Sequence, residues 1–258
     1  MLDRLVESPV IVLCTTRSGS TLLRCLLDAH PAVRAPHELH LADLRVELAS
    51  PYVQMSLDMA GLQVDEVEHL LWDRLLHREL VRSGKQLIVD KVPANVLVWE
   101  RLARAWPAAR FVFLLRHPAS VLTSALEAGS DRDRAELTAQ VLRYMACLQE
   151  ARQALSGLTV RYEDLTADPE RVTRELCAFL DVEWTSAMLD YGSSQAGPFL
   201  YGIGDWGPKI RTGRVIAGRP LPAPAEVPEF LLPFCAAWNY PAEPVPGEAP
   251  TAAGPTSA

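Results

Sequence analysis

Residues Pro9 to His30 read PVIVLCTTRSGSTLLRCLLDAH, and this stretch decides the fold. An apolar run, Val10 to Leu13, breaks into small and polar residues, Thr15 to Ser20 around Arg17; Leu22, Leu23, Leu26 and Leu27 then recur at helical spacing. The pattern predicts strand, tight loop, helix. At the turn, Ser18, Gly19, Ser20 and Thr21 can aim backbone N–H groups and hydroxyls at one point over a helix N-terminus, where partial positive charge gathers. Such a point suits a phosphate or sulfate.

Compared with the P-loop pattern GxxxxGK[ST], the loop departs in an informative way. Aligning Gly19 with the second glycine puts Cys14 in the place of the first and Ser20 in the place of the lysine. No cation is then placed for a nucleotide γ-phosphate. Arg17 lies inside the loop instead, and a guanidinium there can fork onto an anion.

Working outward, Gln86 to Asp90, Arg110 to Leu115 and Leu158 to Tyr162 read as further strands. Helices are expected over 65–82, 93–105, 118–128 and 134–156, the first with Val67, Leu71, Leu75 and Leu76 on one face and Gly84 as its stop. Asp168-Pro169-Glu170 supplies an N-cap, a first-turn proline and an early acid for a helix to Leu180. Strands alternating with helices predict a single α/β domain, a central parallel β-sheet flanked by helices on both faces, with a P-loop-like strand-loop-helix at the N-terminus. Ligands of such sheets gather at the carboxyl ends of strands, where Cys14, Lys91, Arg116 and Tyr162 all fall.

The chain has 258 residues and is 49% hydrophobic, enough for one substantial core, expected over residues 1–242. Beyond Pro241 the sequence is rich in Pro, Ala and Gly, so residues 243–258 are expected to be a disordered tail. A formal net charge of −7 predicts no general attraction to nucleic acid or anionic membrane, so an anionic ligand must be held by local cations. Five cysteines without CxxC spacing read as thiols of a reducing compartment, and neither a signal peptide nor a long apolar stretch is evident. Gly202 to Gly207 spells GxGxxG, but with Pro198 before and Pro208 after it lacks the strand and helix of a dinucleotide fingerprint. His37-Glu38-Leu39-His40 spaces its histidines three apart rather than the four a zinc helix needs, so no metal is expected.

The run Thr16 to Glu38, TRSGSTLLRCLLDAHPAVRAPHE, resembles the 5′-phosphosulfate loop of sulfotransferases that use 3′-phosphoadenosine 5′-phosphosulfate. It is similar above all to the tyrosylprotein branch and to bacterial sulfotransferases, including those embedded in polyketide synthases. Arg116-His117-Pro118 with Ser124, and the run from Val160 to Trp184, resemble later segments of the same family in the right order. The resemblance implies transfer of a sulfuryl group to a hydroxyl of a small molecule, sugar, peptide or carrier-bound acceptor, leaving adenosine 3′,5′-bisphosphate. It also implies roles for particular residues. Arg17, Ser18, Gly19, Ser20 and Thr21 would hold the sulfated end, and Lys91 would reach the bridging oxygen. Arg116 and Ser124 would hold the 3′-phosphate, Tyr162 would touch the nucleotide, and Lys209 or Arg211 would close over it. Glu38, placed as the tyrosylprotein branch places its glutamate, would be the base, with His40 and then His77 as rivals because cytosolic sulfotransferases use a histidine. Glu163 and Asp164 are expected to be structural.

Unlike the tyrosylprotein enzymes, which are anchored in the secretory pathway, this chain is expected to be a cytoplasmic bacterial enzyme. The segment from His40 to Lys85 is expected to line the acceptor pocket, with Met55, Met59 and Trp72 as apolar surface. A P-loop-like nucleotide kinase is the alternative, disfavoured by Ser20; a non-catalytic nucleotide-binding protein of the same fold is another.

Overall fold

Val10–Cys14 forms β1, and each of its residues is buried. Side chains alternate across a strand, so Ile11 and Leu13 enter one hydrophobic core while Val10, Val12 and Cys14 enter another on the opposite face. The computed structural model describes residues 4–192 and 209–240; the GxGxxG run and the tail beyond residue 242 lie outside them.

After β1 come β2 (Val33–Arg34), β3 (Leu87–Lys91), β4 (Arg110–Leu115) and β5 (Gly157–Arg161). All five strands are parallel, in the order β2-β3-β1-β4-β5. β1 is central, with Val12 opposite Lys91 of β3 and Cys14 opposite Leu114 of β4. β2 was not anticipated. Two residues carry no alternation to read, and its place is set by pairing of Val33 with Leu87.

The helices among the described residues are α1 (Ser20–Asp28), α2 (Pro51–Met59), α3 (Val64–Ser83), α4 (Trp99–Ala105), α5 (Pro118–Ala128), α6 (Arg134–Ala154), α7 (Tyr162–Ala167), α8 (Pro169–Leu180) and α9 (Leu232–Ala237). Leu23, Leu26 and Leu27 of α1 pack with Val172, Leu176 and Leu180 of α8 on one face of the sheet. Trp72 of α3, Val121 of α5, and Met145 and Leu148 of α6 fill the other. None of the described helices is long and apolar enough to cross a membrane. All five cysteines are free thiols.

Two helices differ from expectation for identifiable reasons. α3 ends at Gly84 in the left-handed conformation, but its buried face is Glu68, His69, Trp72, Asp73 and Leu76, while Leu71 is 40% exposed. Polar groups can be buried where they find partners. Glu68 accepts from Val46 N and from Arg45 and Arg101; Asp73 accepts from the Leu5 and Val6 amides and from Trp106 Nε1. His69 accepts from Arg101 Nε, and burial together with that guanidinium pulls its pKa down to about 4. The stretch 93–105 is likewise a 3₁₀ turn, Pro93–Val98, followed by α4 rather than one helix. Asn95 Nδ2 donates to Asp90 Oδ2 at 2.6 Å, tying that turn to the end of β3. Tyr162 opens α7 instead of closing β5.

Candidate active site

The carboxyl ends of β1, β3, β4 and β5 share one edge of the sheet, and a cavity of about 530 Å³ opens over it. Beyond β1 the chain turns through Thr15 to Gly19 into α1. Arg17 (φ 62°) and Gly19 (φ 85°) are both left-handed. An arginine there is uncommon, and surrounding contacts hold it. Ser18 Oγ donates to the Thr15 carbonyl at 2.8 Å, Arg17 Nε donates to Ser124 Oγ at 3.1 Å, and Arg116 Nη1 donates to the Arg17 carbonyl at 2.7 Å. Gly19 is required for a second reason. A Cβ there would lie 2.3 Å from Cδ2 of Tyr162, whose ring also carries the Arg116 guanidinium 4.8 Å from its centroid.

Arg17, Gly19, Ser20 and Thr21 line the cavity from the loop side, and Arg116, Ser124, Tyr162 and Lys209 line it from the other. Arg214 and Arg219, which the sequence reading did not single out, line it too. Arg214 sits in the run around Lys209, where nearer cations drew attention; Arg219 follows it without a motif. Their segment is fixed by main-chain pairing of Asp190 with Arg214 and by Gly213 (φ 72°), where a Cβ would fall 2.4 Å from Gly192 Cα. Arg219 forks onto Glu127, at 2.9 and 2.8 Å. Five cations therefore face the cavity, against one carboxylate among the described lining residues, Glu38. In a chain of net charge −7, that concentration makes the cavity locally positive, an environment that suits an anion.

Glu38 Oε1 accepts from Lys91 Nζ at 2.5 Å. Their side chains are 10% and 1% exposed. Lys91 stands behind Glu38 and not on the cavity wall, so in this arrangement it touches the carboxylate and does not line the cavity. His40 (φ 49°) lies with Nε2 3.5 Å from Glu38 Oε2, also off the wall. Ser18 is fully buried beneath the loop, its hydroxyl committed to Thr15. His77 on α3 and Arg211 do not reach the cavity. Nor do Met55 and Met59, which stand exposed on α2, or Trp72, which is core. Glu163 accepts from the His117 amide and from Tyr240 Oη, both packing contacts.

Asp90, just before Lys91, is 2% exposed; its Oδ1 has no hydrogen-bond partner among the described residues, and burial pushes its pKa up to about 6. The unfolded chain ionises near pH 4 and the folded one near 6, so stability falls as pH rises through that window. Two units correspond to about 3 kcal/mol. Asp90→Asn should therefore be more stable than the wild type at pH 8, by ~1–3 kcal/mol in urea unfolding, with the gain closing at pH 4. A gain independent of pH would point to packing instead.

A family model described as the Sulfotransferase family matches residues 9–186, more than two thirds of the chain. The chain belongs to the sulfotransferase family. The chain is 31% identical over 193 residues to protein-tyrosine sulfotransferase 1 of Danio rerio, covering 68% of the chain and 53% of that protein. It is 25% identical over 205 residues to the protein-tyrosine sulfotransferase of Drosophila melanogaster, covering 72% of the chain and 40% of that protein. The chain thus spans about half the length, or less, of these curated relatives. Its fold is that of the sulfotransferase domain from the Synechococcus PCC 7002 olefin synthase, with a TM-score of 0.66 at 23% identity over 93% of this chain and 97% of that one. The sulfotransferase domain from the curacin biosynthetic pathway superposes with a TM-score of 0.61 at 20% identity, over 93% and 100%.

Proposed function

We propose that this protein transfers a sulfuryl group from 3′-phosphoadenosine 5′-phosphosulfate to a hydroxyl of a small molecule, sugar, peptide or carrier-bound acceptor. One observation carries the reading. The bond from Arg116 to the Arg17 carbonyl sets both arginines side by side on one cavity, within the span of a single nucleotide. The sulfated end would lie on the loop around Arg17 and the 3′-phosphate against Arg116 and Ser124, with Lys209, Arg214 and Arg219 adding positive charge. The names of the relatives, protein-tyrosine sulfotransferases, supply a precedent for a hydroxyl acceptor.

The bound donor supplies the sulfuryl group and a phosphate leaving group. Arg17 and the first residues of α1 hold that phosphate and take up its growing negative charge as the S–O bond breaks. Glu38 accepts the proton of the acceptor hydroxyl as its oxygen attacks sulfur. Lys91 fixes the carboxylate through the 2.5 Å ion pair, so that the base is placed before the acceptor arrives.

Incubation with the donor and a panel of phenols, sugars, peptides and acyl thioesters tests the reading. Glu38→Ala should lower turnover by ~10²–10⁴ and leave affinity for adenosine 3′,5′-bisphosphate intact. Arg17→Ala should weaken that affinity by about tenfold or more in calorimetry. Full turnover by both variants would remove the assigned roles, and tighter binding of ATP with magnesium than of the bisphosphate would favour a kinase.

A further inference from the structure

Glu38 and His40 are both plausible bases by residue type, and the geometry separates them. Glu38 lines the cavity and His40 does not. The imidazole stands behind the carboxylate, Nε2 3.5 Å from Glu38 Oε2, while Nδ1 lies 3.3 Å from Asp43 Oδ2. Exposure rises outward along this row, from 10% for the Glu38 side chain to 40% for His40 and 74% for Asp43. Lys91 occupies the other carboxylate oxygen, so the oxygen turned toward the ring is Oε2.

The backbone is shaped to make this row. His40 is left-handed at φ 49°, and the Asp43 amide donates to the His40 carbonyl at 3.0 Å, curling a short 3₁₀ turn that returns the Asp43 carboxylate to the ring. A non-glycine residue held in that region is a strain that surrounding structure must maintain, and such strain collects at working sites. The charged groups around the imidazole are Glu38 and Asp43 in contact, with Asp90 and Lys91 behind them.

We propose that Glu38, His40 and Asp43 form a relay that carries the acceptor's proton from the cavity to solvent. The relay rests on the reading of Glu38 as the base. Each transfer leaves one proton on a carboxylate that is nearly closed to water, and the next cycle cannot begin until it leaves. Glu38 Oε2 passes the proton to His40 Nε2, giving an imidazolium beside Asp43. The ring then releases its Nδ1 proton to Asp43 or water and returns to its starting tautomer through solvent. Only O–H and N–H bonds change, and no charge is created overall. His40 is on this account a positioning and relay residue that never touches the acceptor.

His40→Asn tests it, since asparagine is among the residues that tolerate a left-handed backbone. The full chain is assayed with 3′-phosphoadenosine 5′-phosphosulfate and two acceptors: phenol, which keeps its proton at neutral pH, and 4-nitrophenol, which is largely ionised in mildly alkaline buffer. Turnover of phenol should fall ~10-fold or more and recover on adding imidazole, while 4-nitrophenol stays within about twofold of the wild type. Asp43→Asn should show a smaller loss of the same kind. Equal losses on both phenols, a loss that imidazole does not restore, or no loss at all would overturn the relay and leave His40 a loop-shaping residue. A wild type that binds adenosine 3′,5′-bisphosphate yet sulfates neither phenol nor any acceptor of the wider panel would sink the sulfotransferase reading itself, and the relay with it.

Discussion

Lys91→Met is expected to unfold at a free energy lower by ~3 kcal/mol and to turn over ~10²–10⁴ times more slowly than the wild type. The ammonium it removes is buried against Glu38, at 2.5 Å and 1% exposure. Removing one partner of a buried pair leaves the other charge in a poor solvent, which costs far more than the pair contributes. The double variant Lys91→Met/Glu38→Gln removes that charge as well, so most of the stability should return while turnover remains low. Urea unfolding and steady-state rates on the same preparations check both halves. If the double variant were no more stable than the single one, packing of the lysine stem and not the ion pair would be the cause.

Gly19→Ala should be the most damaging change in the loop. The backbone there is left-handed at φ 85°, which costs an alanine about 1 kcal/mol, and its Cβ would press into Tyr162 at 2.3 and 2.5 Å. The ring has little room to retreat, because the Arg116 guanidinium lies over it and Gly218 approaches its other edge; a Cβ at Gly218 would already be 3.3 Å from the ring. Overpacking of this kind adds ~1–3 kcal/mol. Thermal unfolding should show the combined loss, and calorimetry should show adenosine 3′,5′-bisphosphate binding weakened by about 100-fold as the loop and Arg17 are displaced. Gly19→Ala/Tyr162→Ala relieves the collision but not the backbone strain, so it should recover part of the stability. Recovery of none would mean that the collision contributes nothing.

How much of this was legible in the chain depends on distance along it. The turn from β1 into α1 and the start of α8 are written locally, in an apolar run that stops and in Asp168 before Pro169, and both stand where the residues put them. β2 was invisible because its pairing partner, Leu87, is over fifty residues away. The buried face of α3 was misread because what permits Glu68 and Asp73 to be buried comes from Leu5, Val6, Arg101 and Trp106, far from the helix in sequence. The same holds at the site. Arg17, Ser20, Thr21, Glu38, Arg116, Ser124, Tyr162 and Lys209 share one cavity, whereas Ser18, His40 and Lys91 stand behind its wall. Spacing can bring a residue to an edge of the sheet. It does not say whether the side chain faces the opening or supports one that does.

Among the described lining residues the five cations and one carboxylate carry a net +4, so a chain of −7 has −11 distributed over the rest of its residues. An anion bound at the cavity therefore rests on a lining that sums to positive charge in a chain whose other residues sum to negative charge. Small ions damp the distant repulsion far more than the attraction at close quarters. Salt should therefore weaken binding of an anionic ligand less steeply than it would on a uniformly basic surface, because the distant repulsion is screened along with the attraction.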